Sequence, residues 1–326
     1  MKIQKFISEK EHELFDLLVN TKNKTLMVSP MKSGKTTFVM KDLYEILREL
    51  EVQLIFITPK VSLMDNLKAK YPNSQLCKEN YSASITDDYK PILSTPDSLY
   101  KIIAACKDQS RKFYIVYDEV HEAYQSYSFR KKLARPFKDF DECLCVGFLG
   151  MTATPDNIKY LSYWDNIINI DPSVKFIQSE NLNIIYGLDN TVESICSHIQ
   201  HLRSENKAPI ICRINDKDKI KDVSDILSSI DIKCNSCTRE IVDEEGYNSD
   251  LFQKSLEGLN IKFDVLLTTS LIDVGVEIIL DTKPILVDFM GKNSLVIEDI
   301  QFIGRFREGL KSIDFIIPSN KANKIP

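Results

Sequence analysis

The sequence lacks a hydrophobic run long enough to cross a membrane. Its longest apolar runs, such as residues 143–150, are under half of the roughly 20 residues that a membrane-spanning helix needs. The N-terminal segment MKIQKFISEKEHELF has neither an apolar core nor a small-residue cleavage site, so it does not resemble a secretory signal. We therefore expect a cytoplasmic protein (the host cell's cytoplasm for a phage or viral source) with no membrane partner.

A cysteine framework and an excess of positive charge are also lacking. The eight cysteines are scattered over 326 residues, which is typical of reduced thiols rather than of a disulfide scaffold. A formal net charge of -5, from 42 basic and 47 acidic residues, argues against a protein that coats nucleic acid by charge alone. This net charge does not exclude a motor protein that binds the nucleic-acid backbone through a few well-placed groups.

Apolar, strand-like runs alternate with helical stretches along the whole chain. In the first half the predicted strands are Thr25–Ser29, Gln53–Thr58, Pro91–Ser94, Phe113–Tyr117 and Leu144–Leu149. In the second half they are Pro209–Ile214, Asp231–Lys233, Phe263–Thr268, Pro284–Phe289 and Ile313–Ile317. The predicted helices between them include Thr36–Leu50, Asp97–Cys106, Lys217–Ile230 and Ser249–Leu259. Near-continuous apolar strands separated by helices indicate parallel sheets that are covered on both faces.

The length of the chain predicts two domains, at roughly 150 residues per domain. Residues Asp171–Asp189 form an irregular stretch with a proline and several asparagines, and we place the domain junction there. The sequence therefore predicts an α/β protein with two tandem domains, residues 1–175 and 176–326. Each domain is expected to contain a mostly parallel sheet with helices on both faces.

Residues 29–37 read SPMKSGKTT and lie between a predicted strand and a predicted helix. In a P-loop, backbone N–H groups and a helix N-terminus face phosphate, and Gly34-Lys35-Thr36 fits the end of such a loop. Lys35 would neutralise the β- and γ-phosphates, and the Thr36 hydroxyl would ligate Mg²⁺. The strict pattern has glycine where this chain has Ser29. The position between strand and helix favours phosphate binding over a plain strand–turn–helix.

Two carboxylates, Asp118 and Glu119, follow the apolar run Phe113–Tyr117. Ligands of α/β sheets bind at the carboxyl ends of the strands, which is where this pair would lie. Asp118 would hold Mg²⁺ through water, and Glu119 would orient and deprotonate an attacking water. A solvated loop explains the pair equally well in isolation, but the P-loop upstream favours the catalytic interpretation.

The segment Asp118-Glu119-Val120-His121, downstream of Gly34-Lys35-Thr36, resembles motifs I and II of the superfamily 2 helicases of the DExH group. Segments similar to the remaining motifs follow in the family's order, over about residues 25–317. They are residues 58–60 (motif Ia), 94–96 (Ib), 150–155 (III), 209–214 (IV), 268–277 (V, closest to the RecG-type form) and 301–305 (VI). The resemblance implies two tandem RecA-like domains.

The resemblance also implies ATP and Mg²⁺ as cofactors, bound between the two domains. The residues implied for catalysis are Lys35, Glu119, Gln301, Arg305 and Arg307. Those implied for nucleotide binding are Ser33, Gly34, Lys35, Thr36, Thr37, Asp118, Gly275 and Glu277, with Thr36 and Asp118 holding Mg²⁺ through ATP. Gln301 would lie near the attacking water, and Arg305 would act as an arginine finger on the γ-phosphate.

Nucleic acid would lie across the opposite edge of both domains. The residues implied for nucleic-acid binding are Thr58, Lys60, Thr95, Thr268 and Thr269. Such contacts are made to the sugar–phosphate backbone of the nucleic acid and contain little information about base sequence. Three further residues would couple nucleotide state to the contact between domains: His121, Thr152 and Thr154.

The chain departs from the family in two places. Motif VI usually reads Q-x-x-G-R-x-x-R, but Glu308 stands at the final arginine, with Arg307 one residue earlier. Either Arg307 takes over that role or Arg305 acts alone. Motif I has Lys32 where glycine is usual, a form that also resembles thymidine kinases. Those enzymes are smaller, have zinc-binding cysteine pairs and lack motifs V and VI.

The sequence thus predicts an ATP hydrolase stimulated by nucleic acid, which steps along or unwinds DNA, with RNA as the alternative track. Two other interpretations remain open. One is an ATPase or remodelling subunit of a larger replication, repair or defence assembly, in which a protein partner supplies substrate choice. The other is a non-catalytic nucleic-acid clamp, against which the intact Lys35, Asp118, Glu119 and Arg305 argue.

Overall fold

The chain folds into two compact units, Met1–Val174 and Lys175–Pro326. The structure, a computed structural model, describes residues 2–3, 11–19, 22–30, 33–59, 61–78, 85, 88–125, 131–155, 158, 161–170, 182–238, 263–270, 278, 280, 282–289, 299, 302–304, 306 and 309–317. Both units are parallel sheets flanked by helices, so the predicted fold class is confirmed.

The first unit is built on an eight-stranded sheet. Its strands are β1 (Lys2–Ile3), β2 (Lys24–Val28), β3 (Gln53–Ile57), β4 (Gln75–Cys77), β5 (Ile92–Ser94), β6 (Phe113–Tyr117), β7 (Cys145–Thr152) and β8 (Asn166–Ile170). They lie in the order β1-β8-β2-β7-β6-β3-β5-β4, and every described pair is parallel. The ends of β2, β7 and β6 are therefore neighbours although they are far apart in sequence.

Helices cover both faces of this sheet. They are α1 (Glu11–Val19), α2 (Lys35–Phe38), α3 (Tyr44–Glu49), α4 (Val61–Lys70), α5 (Leu99–Asp108), α6 (Glu122–Gln125) and α7 (Arg135–Asp139). A π-helical turn, Val39–Leu43, joins α2 to α3, so the predicted helix over 36–50 is one helical run with a local widening. Leu54 and Phe56 of β3 belong to one apolar cluster, and Ile55 and Ile57 belong to a second. Alternate residues point to opposite faces, so both faces are packed.

The second unit contains a six-stranded sheet. Its strands are β9 (Leu182–Tyr186), β10 (Ile210–Ile214), β11 (Cys234–Cys237), β12 (Val265–Thr268), β13 (Ile285–Phe289) and β14 (Ser312–Ile317), in the order β11-β12-β10-β13-β14-β9. All described pairs are parallel. The helices α8 (Val192–Glu205) and α9 (Lys217–Ser228) begin at capped residues: the side chains of Thr191 and Asp216 accept hydrogen bonds from the first turn.

Two predictions about the second half are wrong. The strand predicted at Asp231–Lys233 lies at Cys234–Cys237 instead. Asp231 has φ +63, a left-handed conformation that a strand cannot contain, so the chain turns there before β11 begins. The stretch Asp171–Asp189 is not irregular throughout, because Leu182–Tyr186 pairs with β14. The helix predicted at Ser249–Leu259 lies outside the described residues.

Candidate functional site

The carboxyl ends of the central strands of the first unit are joined by backbone hydrogen bonds just beyond the strands. The N–H of Ser29, after β2, donates to the carbonyl of Thr152 at the end of β7 over 3.0 Å. The N–H of Val120, after β6, donates to the carbonyl of Met151 over the same distance. These bonds bring the predicted motifs I, II and III together at one edge of the sheet.

The same edge continues through the neighbouring strands. The N–H of Asp118 donates to the Ile57 carbonyl over 2.9 Å, and that of Thr58 donates to the Ser94 carbonyl over 3.0 Å. The predicted motifs Ia and Ib therefore follow motif II along the edge. Thr58 and Thr95 are both buried, and no hydrogen-bond partner for the Thr58 hydroxyl is present among the described residues.

The loop after β2 begins and ends with a pair of hydroxyls. Ser29 Oγ donates a short hydrogen bond to Ser33 Oγ, and both side chains are buried. Ser29 has no positive φ, so the glycine of the strict pattern is not needed for the backbone here. The serine hydroxyl instead ties the first residue of the loop to the fifth. Met31 and Lys32 lie outside the described residues.

Gly34 gives this loop the geometry of a phosphate cradle. Its φ is +88, a conformation that glycine adopts without strain, and an added Cβ would meet no atom within 4 Å. The space beside Gly34 is therefore open at the start of the helical run 35–49. Thr36 and Thr37 follow it in α2, half-buried. This arrangement fits the phosphate group that the sequence predicts.

The Lys35 ammonium lies inside the loop. Lys35 is 9% exposed, and its Nζ donates to the carbonyl oxygens of Ser29 over 2.7 Å and Pro30 over 2.9 Å. An ammonium group at this place in the loop is suited to bind an anion through charge-assisted hydrogen bonds. The position of Lys35 therefore fits phosphate as well.

The acidic pair, Asp118 and Glu119, follows β6 at the same edge of the sheet, and the backbone of Glu119 is strained. Glu119 has φ +50, which is uncommon for a residue with a side chain and costs on the order of 1 kcal/mol or more. The Glu119 N–H donates to Asp118 Oδ1 over 3.1 Å. The Oε2 atom of Glu119 is buried and makes no hydrogen bond to any described residue. This carboxylate oxygen, which lies 3.4 Å from His121 Nδ1, is suited to accept a proton from a bound water.

A chain of polar contacts connects motif II to motif III. Nδ1 of His121, which is 1% exposed, lies 2.9 Å from Thr152 Oγ1 and 3.4 Å from Glu119 Oε2. The same Thr152 hydroxyl oxygen accepts a hydrogen bond from the Thr154 N–H over 3.0 Å. The structure thus brings together all three residues for which coupling is predicted.

In the second unit, Thr268 and Thr269 lie at the carboxyl end of β12. Thr268 is fully buried, and its Oγ1 lies 3.3 Å from the Cys237 carbonyl oxygen and 3.0 Å from that of Thr269. Thr269 is half-buried. The other predicted site residues fall outside the described residues: Lys60, Gly275, Glu277, Gln301, Arg305 and Arg307.

Comparison with known proteins identifies the fold. Residues 2–157 match the family model for the type III restriction enzyme, res subunit. The E. coli DEAH/RHA helicase HrpB superposes with a TM-score of 0.66 at 13% identity, over 98% of this chain and 43% of that one. The fold is that of a superfamily 2 helicase core. The recognition of a DExH/DEAD-like core is confirmed, and the likeness of motif V to the RecG-type form stays a prediction.

Two further solved structures share this helicase core. S. cerevisiae Dbp5 bound to RNA and ADP BeF3 has a TM-score of 0.63 at 13% identity, over 97% of this chain and 84% of that one. M. smegmatis Lhr bound to ssDNA and AMP-PNP has a TM-score of 0.59 at 16% identity, over 91% and 44%. At these identities the likeness shows the fold, and together with the family match it supports a superfamily 2 helicase or ATPase. A comparison with the curated proteins found no match.

The second domain of the helicase core contains a buried ionic cluster that the sequence analysis missed. Arg213 of β10 is 1% exposed and contacts Asp288 of β13 and Asp299. Burial raises the pKa of Asp288 to about 7, although Arg213 opposes the shift. The sequence contained one signal that could have predicted this cluster. Each of two otherwise apolar strands, IICRI and ILVDF, contains a single charged residue.

No helix in the described ranges is both long and apolar enough to cross a membrane. In the same part of the chain, no three His, Cys, Asp or Glu side chains are grouped to hold a metal ion.

Proposed function

We propose that this protein is an ATP-dependent helicase or translocase of superfamily 2, which hydrolyses ATP to step along or unwind nucleic acid. The observation that supports this most is the edge of the first sheet. There a phosphate-type loop, an acidic pair and a polar link to motif III lie on adjacent strand ends.

In the first domain, each of the proposed roles matches a physical property of its residue. Lys35 exchanges its loop carbonyls for the β- and γ-phosphates. Thr36 and Asp118 hold Mg²⁺, whose hard charge prefers oxygen ligands. Glu119, with its unbonded buried Oε2, accepts a proton from the attacking water. Ser33, Gly34 and Thr37 line the phosphate cradle.

The second domain is proposed to complete the site. Gln301 positions the attacking water, and Arg305 stabilises the charge that develops on the γ-phosphate. Arg307 is proposed as a second arginine, one residue earlier than the family's pattern. Gly275 and Glu277 are proposed to meet the nucleotide from motif V.

DNA is the proposed track, since the matched family model is that of a restriction enzyme subunit. RNA is the alternative, because the Dbp5 structure contains RNA and the Lhr structure contains ssDNA. The proposed contacts are Thr58, Lys60 and Thr95 from the first domain and Thr268 and Thr269 from the second. Such contacts go to phosphates, so we expect little sequence preference.

The deciding experiment is steady-state ATP hydrolysis by the purified chain without nucleic acid and with single-stranded DNA, duplex DNA or RNA. Lys35→Ala serves as the blank. Lys41→Ala is the matched control, because Lys41 lies in the same helical run and is exposed. Stimulation by one polymer that is lost in Lys35→Ala and retained in Lys41→Ala supports the proposal. Equal rates for wild type and Lys35→Ala in every condition contradict it.

A second measurement separates a complete helicase from an ATPase subunit of a larger assembly. The polymer that stimulates hydrolysis is offered as a partial duplex with a labelled strand, and strand release is followed with ATP and with a non-hydrolysable analogue. ATP-dependent release supports autonomous unwinding. Hydrolysis without release supports a translocating or remodelling subunit that needs a protein partner. Polymer binding without hydrolysis indicates a clamp.

A further inference from the structure

The buried ionic cluster of the second domain joins three separate segments of the chain. Arg213 donates from Nε to Asp288 Oδ1 over 3.0 Å and from Nη2 to Asp288 Oδ2 over 2.5 Å. The same Nη2 donates a short hydrogen bond to Asp299. The Phe302 ring lies against the guanidinium, with its centroid 4.9 Å from Cζ. One side chain thus holds a carboxylate of the sheet, a carboxylate outside it and an aromatic ring.

Asp299 and Phe302 both contact Arg213, Asp299 through a hydrogen bond from Nη2 and Phe302 through its ring. They are 4% and 0% exposed. The Phe302 ring also packs against Phe306 at a centroid distance of 5.5 Å. Phe306 in turn makes a parallel bridge with Ile278, so this segment is fixed at several points.

This anchored segment is the part of the sequence that contains motif VI. Gln301 lies between Asp299 and Phe302 in the chain, and Arg305 lies next to Phe306. We propose that Arg213 is a positioning residue that fixes the motif VI segment through Asp299 and Phe302, so that Gln301 and Arg305 are presented for catalysis. This inference rests on the proposed function.

Stability alone does not account for such a cluster. One cation faces two carboxylates in a dry environment, and well-packed apolar residues in the place of buried ions are often equally stable or better. Burial, and to a lesser degree the charge of Asp299, raises the pKa of Asp288. What an ionic cluster provides is a defined geometry, because the planar guanidinium fork fixes the directions of its partners. That property suits a segment whose side chains must be placed to within fractions of an ångström.

The first test needs no ATPase activity. Hydrogen exchange of the peptide that spans residues 299–310 is measured by mass spectrometry in wild type and in Asp299→Ala. This variant keeps both hydrogen bonds between Arg213 and Asp288, so the sheet is expected to stay folded. Asp314→Ala is the matched control, since Asp314 is another buried carboxylate of this domain, bonded to His198 and Asn183. We expect at least tenfold faster exchange in Asp299→Ala and no change in the control.

The second test is kinetic and separates positioning from general loss of structure. Asp299→Ala is expected to lower kcat for ATP hydrolysis about 10- to 100-fold, with KM for ATP within about twofold of wild type. Arg213→Lys keeps the positive charge but loses the planar guanidinium group, so we expect a kcat between those of wild type and Asp299→Ala. In an Arg305→Ala background, Asp299→Ala should lower kcat by a smaller factor than it does in wild type, because part of its effect acts through Arg305.

Unchanged exchange in Asp299→Ala overturns the inference, whatever the ATPase result. An undiminished kcat, or an equal further loss in the Arg305→Ala background, also overturns it. A wild type without ATPase activity but with faster exchange in Asp299→Ala contradicts the proposed function and leaves the anchoring role supported. The two failures are therefore distinguishable.

Discussion

Replacement of Thr152 by valine should destabilise the first domain by about 2–4 kcal/mol. Thr152 is fully buried, and its Oγ1 lies 2.9 Å from His121 Nδ1 and accepts from the Thr154 N–H over 3.0 Å. Each lost hydrogen bond removes about 1 kcal/mol, and a buried N–H left without an acceptor adds about 1–3 kcal/mol. The added methyl group offsets about 0.8 kcal/mol of that loss.

Thr25 provides the matched control. It lies in β2, next to β7, and is 1% exposed, but its Oγ1 has no hydrogen-bond partner among the described residues. Thr25→Val makes the same change of a hydroxyl to a methyl group without breaking a bond. It should therefore leave stability unchanged or raise it by up to about 1 kcal/mol.

Urea unfolding at 25 °C, followed by tryptophan fluorescence, measures both variants. The chain contains a single tryptophan, Trp164, which packs in an apolar cluster of the first domain, so the signal reports this domain. The free energy of unfolding follows from the midpoint and the slope. A change below about 0.5 kcal/mol in Thr152→Val, or an equal loss in Thr25→Val, would refute the assigned hydrogen bonds.

Three further predictions concern pH, packing and catalysis. Burial raises the pKa of Asp288 from 3.8 to about 7, so the folded state binds an extra proton over that range. The stability contributed by this group therefore falls, by up to about 4 kcal/mol, as pH rises from about 4 to about 7. Asp288→Asn removes the titrating group and therefore that loss. The difference in free energy of unfolding, variant minus wild type, should thus be more positive at pH 8 than at pH 5. The reverse order would contradict the raised pKa. Gly147→Ala should destabilise by about 1–3 kcal/mol in the same urea assay, because the added Cβ would lie 2.3 Å from Cε2 of the buried Tyr114; an unchanged midpoint contradicts this packing. Glu119→Gln should lower kcat by about 10²- to 10⁴-fold and leave the affinity for a fluorescent ADP analogue within about twofold; retained hydrolysis would exclude Glu119 as the base.

Much of the first domain could be predicted because its strands are apolar and buried on both faces. The predicted Phe113–Tyr117 is β6 to the residue, and all five of its side chains are buried. β9 was missed for the opposite reason. Three of its apolar side chains, Leu182, Ile184 and Tyr186, are exposed, and it lies at the edge of its sheet. Apolar runs report burial, so a strand that is not buried leaves a weaker signal.

In the candidate site, too, some residues could be predicted from the sequence and others could not. Gly34, Lys35 and the acidic pair could be predicted because phosphate and Mg²⁺ chemistry restricts the residue types and the spacing. The bond between Thr152 and His121, 31 residues apart, depends on which strands are neighbours. The contact of Arg213 with Asp288 and Asp299 likewise depends on the order of strands and not on local sequence. Local sequence thus indicated the chemistry, and the topology supplied its partners.

The position of β2 in its sheet has a consequence for how the chain is made. β2 leaves the ribosome early, but its hydrogen-bonded neighbours are β7 and β8, which span residues 145–170. The phosphate loop that follows β2 must therefore wait for more than a hundred residues of synthesis before its flanking strands exist. Such long-range parallel pairing is slow to form. Nucleotide binding should consequently appear late and abruptly on the nascent chain, when β7 and β8 have emerged and enclosed β2.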